Sequence, residues 1–230
     1  MAEFPSGTVA FLFTDIEGST RLWEERPQAM VVALERHFSI LREAIAAHNG
    51  VLFKTIGDAV QAAFPTVPSA LETALAAQLA LRREPWADVG ALRVRMAIHA
   101  GDATPSDGDY LAPALNRLSR VLSVGYGEQI LLTNTARALA TLPVGYAIQD
   151  LGPHRLRDLL EAEHLFQLCG PGLPAEFPPL KNLDALPNNL PAQPTPLIGR
   201  EDELAALREI LSAAGTRLVT IVGSGGTGKT

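Results

Sequence analysis

The chain is poor in sulfur and in aromatic rings. Its 230 residues include one cysteine, three methionines, two tryptophans and three tyrosines. A single cysteine, Cys169, excludes an intrachain disulfide and fits a reducing compartment, so a cytoplasmic location is expected. No apolar run approaches the ~18 residues of a membrane-spanning helix. The opening MAEFPSG lacks the basic and apolar regions of a secretory leader. Positive charge is also scarce: 19 Lys and Arg stand against 25 Asp and Glu, a net charge of −6. That argues against a broad nucleic-acid surface and direct nucleic-acid binding, but not against a nucleotide, which needs only a few local cations and a metal. His37, His48, His99, His154 and His164 show no metal-ligand spacing and read as structural or surface groups. Trp23 and Trp86 read as packing anchors.

What the chain does have is a 47% apolar fraction, enough for one good core with residues to spare. Val9 to Phe13 is a continuous apolar run, as in a strand buried on both faces. Met30, Leu34, Phe38, Leu41 and Ile45 recur at helical spacing, and Asn49-Gly50 closes that helix. Val51 to Ile56 and Ala59 to Phe64 read as strands joined tightly at Gly57-Asp58. Leu71, Ala74, Leu75 and Leu79 mark a second helix, and Leu92 to His99 alternates as a strand. The order β-α-β-β-α-β is the ferredoxin-like α+β arrangement. A helix near 113–124 and strands near 128–132, 144–151 and 164–168 would complete a domain over residues 1–169.

Prolines are dense from 170 to 196, which reads as a semi-extended linker. A helix over 201–211 and a strand over Leu218 to Val222 then lead into GSGGTGKT, Gly223 to Thr230. This fits the phosphate-binding loop pattern, with Gly223, Gly228, Lys229 and Thr230 as its marked positions. The helix that should follow the loop, and a second acidic metal ligand, would come from later sequence. Residues 197–230 are therefore expected to be the front of an NTPase domain in a longer protein, without ATPase activity of their own.

Three motifs carry chemistry. In FTDIEGST, Asp15 ends a core strand; alone, it reads as a helix cap or a metal ligand. In KTIGDAV, a tight turn displays Asp58; alone, it reads as an ordinary hairpin. Together they change the reading. The first strand and the central hairpin lie side by side in such a sheet, and two converging carboxylates repel unless a cation lies between them. Hard oxygens suit Mg²⁺ or Mn²⁺, and paired aspartates are a platform for two-metal phosphoryl or nucleotidyl transfer. In DYLAPALNRLSR, Pro113 opens a helix on which Asn116 and Arg120 share a face at i and i+4. An amide beside a guanidinium suits a phosphoryl group gaining charge; the plainer reading is a solvated helix face.

In this order and separation, the three motifs resemble the class III nucleotidyl cyclase catalytic domain over roughly residues 7–170. The resemblance implies that Asp15 and Asp58, with the carbonyl of Ile16, bind two Mg²⁺ or Mn²⁺ ions per site. It implies that Lys54 and Asp109 read the purine edge as adenine, that Asn116 orients the ribose, and that Arg120 stabilises the transition state. Arg157 stands where the family has a triphosphate-binding lysine, and Leu111-Ala112 where an aromatic–glycine pair is common. The Gly18-Ser19-Thr20 turn is expected to offer backbone N–H groups to the triphosphate. The implied reaction converts ATP to 3′,5′-cyclic AMP and pyrophosphate in a homodimer, with Asp15 and Asp58 from one subunit facing Lys54, Asp109, Asn116 and Arg120 of the other. A guanylate or relaxed-specificity cyclase, or a non-catalytic dimerising domain, are the rival expectations. The segment LIGREDELAALREIL resembles the lead-in to STAND-type signalling ATPases.

Overall fold

The structure is a computed structural model that describes residues 3–111, 113–181, 199, 201–213, 215–220 and 222. The chain divides into two compact units, Met1–Pro187 and Asn188–Thr230. In the first unit, strand β1 (Gly7–Ile16) is followed by helices α1 (Ser19–Glu25) and α2 (Pro27–Ala47). The hairpin β2 (Val51–Ile56) and β3 (Ala59–Phe64), helix α3 (Val67–Arg83) and strand β4 (Val94–Ala103) come next. A small hairpin, β5 (Pro105–Ser106) and β6 (Asp109–Tyr110), precedes helix α4 (Pro113–Val124), strand β7 (Ile130–Thr133) and helix α5 (Asn134–Ala138). Strands β8 (Ala147–His154) and β9 (Glu163–Cys169) end the sheet.

The sheet order is β2-β3-β1-β4-β7-β9-β8. Its pairings are antiparallel except β4 with β7. The first four strands have the ferredoxin-like order that the sequence predicts. β1 is central, and its unbroken apolar run is what a strand covered on both faces requires. Ala10, Leu12 and Ile16 join the core cluster that includes α2 and α3 residues. Val9, Phe11 and Phe13 join a second cluster with Leu118, Val121 and Leu122 of α4. Both layers hold β1 rigid, and its last residues carry the site. Among the described residues, no helix is long and apolar enough to cross a membrane.

Several expectations change. β4 runs on to Ala103 because its antiparallel ladder with β1 continues to the Gly7–Ala103 pair. Residues 171–181, expected as the start of the linker, pack on the domain: Leu180 is buried in the second cluster, and the Lys181 N–H donates to the Val124 carbonyl at 3.0 Å. In the second unit, α6 (Glu201–Ser212) matches the expected helix. The expected strand at Leu218 to Val222 is not formed by its described residues, 218–220 and 222. A strand requires a ladder partner for its backbone groups, and these residues have none among the described pairings. Gly223, Gly228, Lys229 and Thr230 lie outside the described residues, as do Ala112 and most of the Pro-rich segment.

Candidate active site

The end of β1 and the β2–β3 turn meet as expected. Asp58 Oδ2 accepts from the Ile16 N–H at 2.8 Å, and Asp58 Oδ1 accepts from the Ser19 hydroxyl at 3.2 Å. Gly57 in the turn has φ 61, a left-handed conformation that a glycine adopts without strain. A third support comes from α2, where Nε2 of the fully buried His37 lies 3.3 Å from the Asp58 carbonyl oxygen. Burial pushes the His37 imidazole down to about 4, so it is neutral and donates there through Nε2–H.

Asp15 has a partner that the sequence reading missed. Arg95 on β4 grips it at both oxygens, Nε to Oδ1 at 2.7 Å and NH2 to Oδ2 at 2.5 Å. Burial nevertheless pushes the Asp15 carboxyl above its ordinary range; Arg95 pulls it down, while Asp58 and Glu17 push it up. Burial is the largest of these causes and outweighs the guanidinium, so a cation bound here would favour the ionised form. Asp15, Asp58 and the Ile16 carbonyl form an all-oxygen donor set that suits a hard divalent cation. Among the described residues, no three His, Cys, Asp or Glu side chains gather into a metal-binding group. A cation here would therefore need carbonyl, water or substrate oxygens to complete its shell.

The expected base readers also meet. Lys54 on β2 donates to Asp109 Oδ2 in a short ion pair, and the Tyr110 N–H donates to Asp109 Oδ1 at 2.7 Å. The Lys54 hydrogen bond, then the Tyr110 N–H, hold the Asp109 carboxyl below the usual range. Tyr110 is buried, with its ring edge-on to Phe11 and Phe53 at 5.1 Å each and its hydroxyl donating to the Pro5 carbonyl at 2.7 Å. That anchor fixes Asp109 despite the Leu111-Ala112 departure. Lys54, Gln61, Phe13 and Asn116 line one cleft of about 580 Å³, and Asn116 is exposed at its edge.

Arg120 and Arg157 converge on one carboxylate. Arg120 NH2 is 2.8 Å from Asp158 Oδ2, and Arg157 Nε is 3.9 Å from the same atom. Both guanidiniums are open to solvent. Ser19, expected to serve a triphosphate, spends its hydroxyl on Asp58. Its backbone N–H and that of Thr20 belong to the first turn of α1, whose leading amides have no partner within the helix.

The model of the adenylate and guanylate cyclase catalytic domain matches residues 1–168. An uncharacterized protein of Mycobacterium tuberculosis is 34% identical over 206 residues, 87% of this chain and 70% of that protein. An adenylate cyclase of Lachancea kluyveri is 37% identical over 156 residues, which is 56% of this chain but 8% of that much longer protein. Among solved structures, a Trypanosoma brucei adenylate cyclase in its monomeric state superposes with a TM-score of 0.70 at 25% identity, covering 77% of this chain and 94% of that one. The adenylyl cyclase CyaB from P. aeruginosa shares the fold, with a TM-score of 0.62 at 21% identity over 71% of this chain and 94% of its own. With these matches laid over the paired aspartates and the Lys54–Asp109 ion pair, the chain belongs to the family of adenylate and guanylate cyclase catalytic domains and is, by that membership, a cyclase enzyme.

Proposed function

We propose that the domain is an adenylate cyclase, closing ATP to 3′,5′-cyclic AMP and pyrophosphate at a site shared by two copies of the chain. The observation that carries the base choice is the ion pair between Asp109 and Lys54, the latter lining the same cleft as Asn116. An ammonium donates to adenine N1, and a carboxylate accepts from the N6 amino group. Guanine presents an O6 acceptor and an N1–H donor, so Asp109 would face O6 with like polarity and leave a polar group unpaired. Sharing is what the resemblance to class III cyclases implies, with Asp15 and Asp58 of one copy facing Lys54, Asp109, Asn116 and Arg120 of the other.

Asp15, the Ile16 carbonyl and Asp58 would hold Mg²⁺ or Mn²⁺, two per site in this reading. The bound ions would supply positive charge to the triphosphate and acidify the ribose 3′-hydroxyl. Arg95 keeps Asp15 in place, and Ile16 N–H with Ser19 fixes the Asp58 carboxylate. Asn116 orients the ribose. Arg120 leaves Asp158 to meet the charge that grows on the α-phosphoryl oxygens, and Arg157 leaves it for the triphosphate. Catalysis is positioning and electrostatics. We also assign residues 1–169 to the catalytic domain, 170–196 to a connecting segment whose first part, through Lys181, packs on that domain, and, on the strength of GSGGTGKT, 197–230 to the start of a STAND-type P-loop ATPase module.

The test is product formation from ATP or GTP with Mn²⁺ at high protein concentration. Cyclic AMP should dominate, and no cyclic product from either nucleotide would defeat the reading. Asp58→Ala should lose more than about a hundredfold in activity, a larger effect than loss of an outer-shell partner. Asp15→Ala and Arg120→Ala, each inactive alone, should regain activity when mixed, because one site of the heterodimer keeps both groups. Failure of that rescue would defeat the shared site.

A further inference from the structure

The segment after β9 is fastened to the domain beside the acidic set. The Phe177 ring stacks on Tyr126, with centroids 6.4 Å apart and planes 18° from parallel. The Tyr126 hydroxyl donates to the Pro179 carbonyl at 2.8 Å, and Leu180 is 4% exposed. Lys181 then makes three contacts. Its N–H donates to the Val124 carbonyl at 3.0 Å, its ammonium lies 4.2 Å from the Tyr126 ring centroid, and Nζ donates to Glu17 Oε1 at 2.6 Å.

Glu17 and Gly18 lie between the two residues that hold Asp58. Ile16 before them donates to Asp58 through its N–H, and Ser19 after them through its hydroxyl. Glu17 itself is tied at three points. Its N–H donates to the Arg93 carbonyl at 2.8 Å, its Oε2 accepts from the Gly127 N–H at 3.0 Å, and its Oε1 takes Lys181. No room is left for adjustment at Gly127, where a Cβ would lie 2.4 Å from Arg93 Cβ and 3.0 Å from Glu17 Oε2. The loop that places Ile16 and Ser19 is thus clamped through one carboxylate, and one arm of the clamp comes from a segment more than 160 residues away.

We propose that Lys181 is a positioning residue of the cyclase site, acting through Glu17 to hold the Asp15–Ser19 loop against Asp58. This rests on reading Asp15, Ile16 and Asp58 as the cation-holding set. The division of labour within the strap is physical. Leu180 supplies the burial that docks it, and the Lys181 head group supplies the contact that orients the loop. It follows that the packed catalytic unit extends past Cys169 to include Lys181, and that displacement of the chain at Lys181 reaches Ile16 through one side chain.

The experiment uses the full chain and reads the Mn²⁺ concentration for half-maximal activity together with kcat. Lys181→Met should raise that concentration about fivefold, the scale of a partly exposed ion pair, and Lys181→Glu should raise it further. Both should keep Tm within about 4 °C of wild type, as one such pair implies for a domain of this size. Leu180→Ala serves as the contrast, lowering Tm. Glu17→Gln, which keeps an acceptor for the Gly127 N–H, should raise the Mn²⁺ requirement to a similar extent, and adding Lys181→Met to Glu17→Gln should change little more. An unchanged Mn²⁺ requirement in both Lys181 variants, or fully additive effects of Glu17→Gln and Lys181→Met, would overturn the proposal. A wild-type chain without cyclase activity would overturn the site reading itself. Amide exchange at Gly127 separates the two failures, because it accelerates in Lys181→Met only if Lys181 holds Glu17 in place.

Discussion

The electrostatics of the site centre on one carboxylate, Asp15. Burial raises its pKa and the Arg95 fork opposes the rise without cancelling it. A raised carboxyl costs nothing below its unfolded value and costs stability as pH climbs through the folded one. Arg95→Met removes the fork, so the cost of an ionised Asp15 grows, by about 2 kcal/mol at pH 8. At pH 5 the loss should be smaller, since protonation relieves it. Urea denaturation without divalent cation at the two pH values checks this, and an equal loss at both would refute it; added Mn²⁺ should restore part of the stability at pH 8. That the Asp15 strand and the Asp58 turn come together was legible from the order of the strands, although each aspartate alone reads as a cap or a hairpin residue and only the pair suggests a cation. Arg95 was not legible, because it meets Asp15 only through the β1–β4 register, which pairs residues 80 apart. His37 was hidden for another reason: on a helical stripe, a lone histidine looks the same whether it packs or donates to a turn. Lys181 lay in a Pro-rich stretch whose composition resembles a linker.

At the scale of elements, the seven strands of the main sheet and the longer helices were readable, and the smallest elements were not. β2, β3 and α4 have the boundaries that their apolar patterns predict. The β5–β6 hairpin has two residues per strand, too few for alternation to register, yet it carries Asp109. Helix α5 has five residues and is capped by the Thr133 hydroxyl. The junction from α2 to β2 shows how Asn49 and Gly50 divide their work. Asn49 takes the left-handed turn at φ 58, while the Gly50 N–H bonds the Ile45 carbonyl at 2.9 Å. Gly50 is required for space: a Cβ there would lie 2.2 Å from the Phe64 ring and 2.8 Å from the Ile45 side chain. Phe64 is fully buried and cannot swing aside. Gly50→Ala should cost about 1–3 kcal/mol by overpacking, read as a lowered urea midpoint. An unchanged midpoint would show that the β2–β3 hairpin can shift away from α2, and the Asp58 turn with it.

Across the whole molecule, two buried histidines set the acid limit of the fold. His37 belongs to α2, and His99 lies on β4 facing Thr133 and Thr135 at 2.9 and 3.2 Å. Burial pushes each down to about 4, with the Arg117 charge adding to the fall at His99 and the Asp58 turn opposing it at His37. Each folded value lies below the unfolded one, so the unfolded chain binds more protons between them. Stability is therefore full above about pH 6.5 and falls as the pH drops toward 4, by about 1.4 kcal/mol per pH unit for each histidine. The lowered carboxyls of Asp109 and Asp150 release their stability only below the ordinary carboxylate range, so they leave this window to the histidines. Asp15 works in the opposite sense, but it is a single group set against two. The expected profile of denaturation midpoint against pH is flat from 8 to 7 and declines from 6.5 to 4.5. His99→Gln, which keeps a hydrogen-bonding side chain but cannot titrate, should halve the slope. A profile flat down to pH 4.5 would mean that both imidazoles reach water in the folded state, and the neutral Nε2–H donor to the Asp58 turn would then lose its basis.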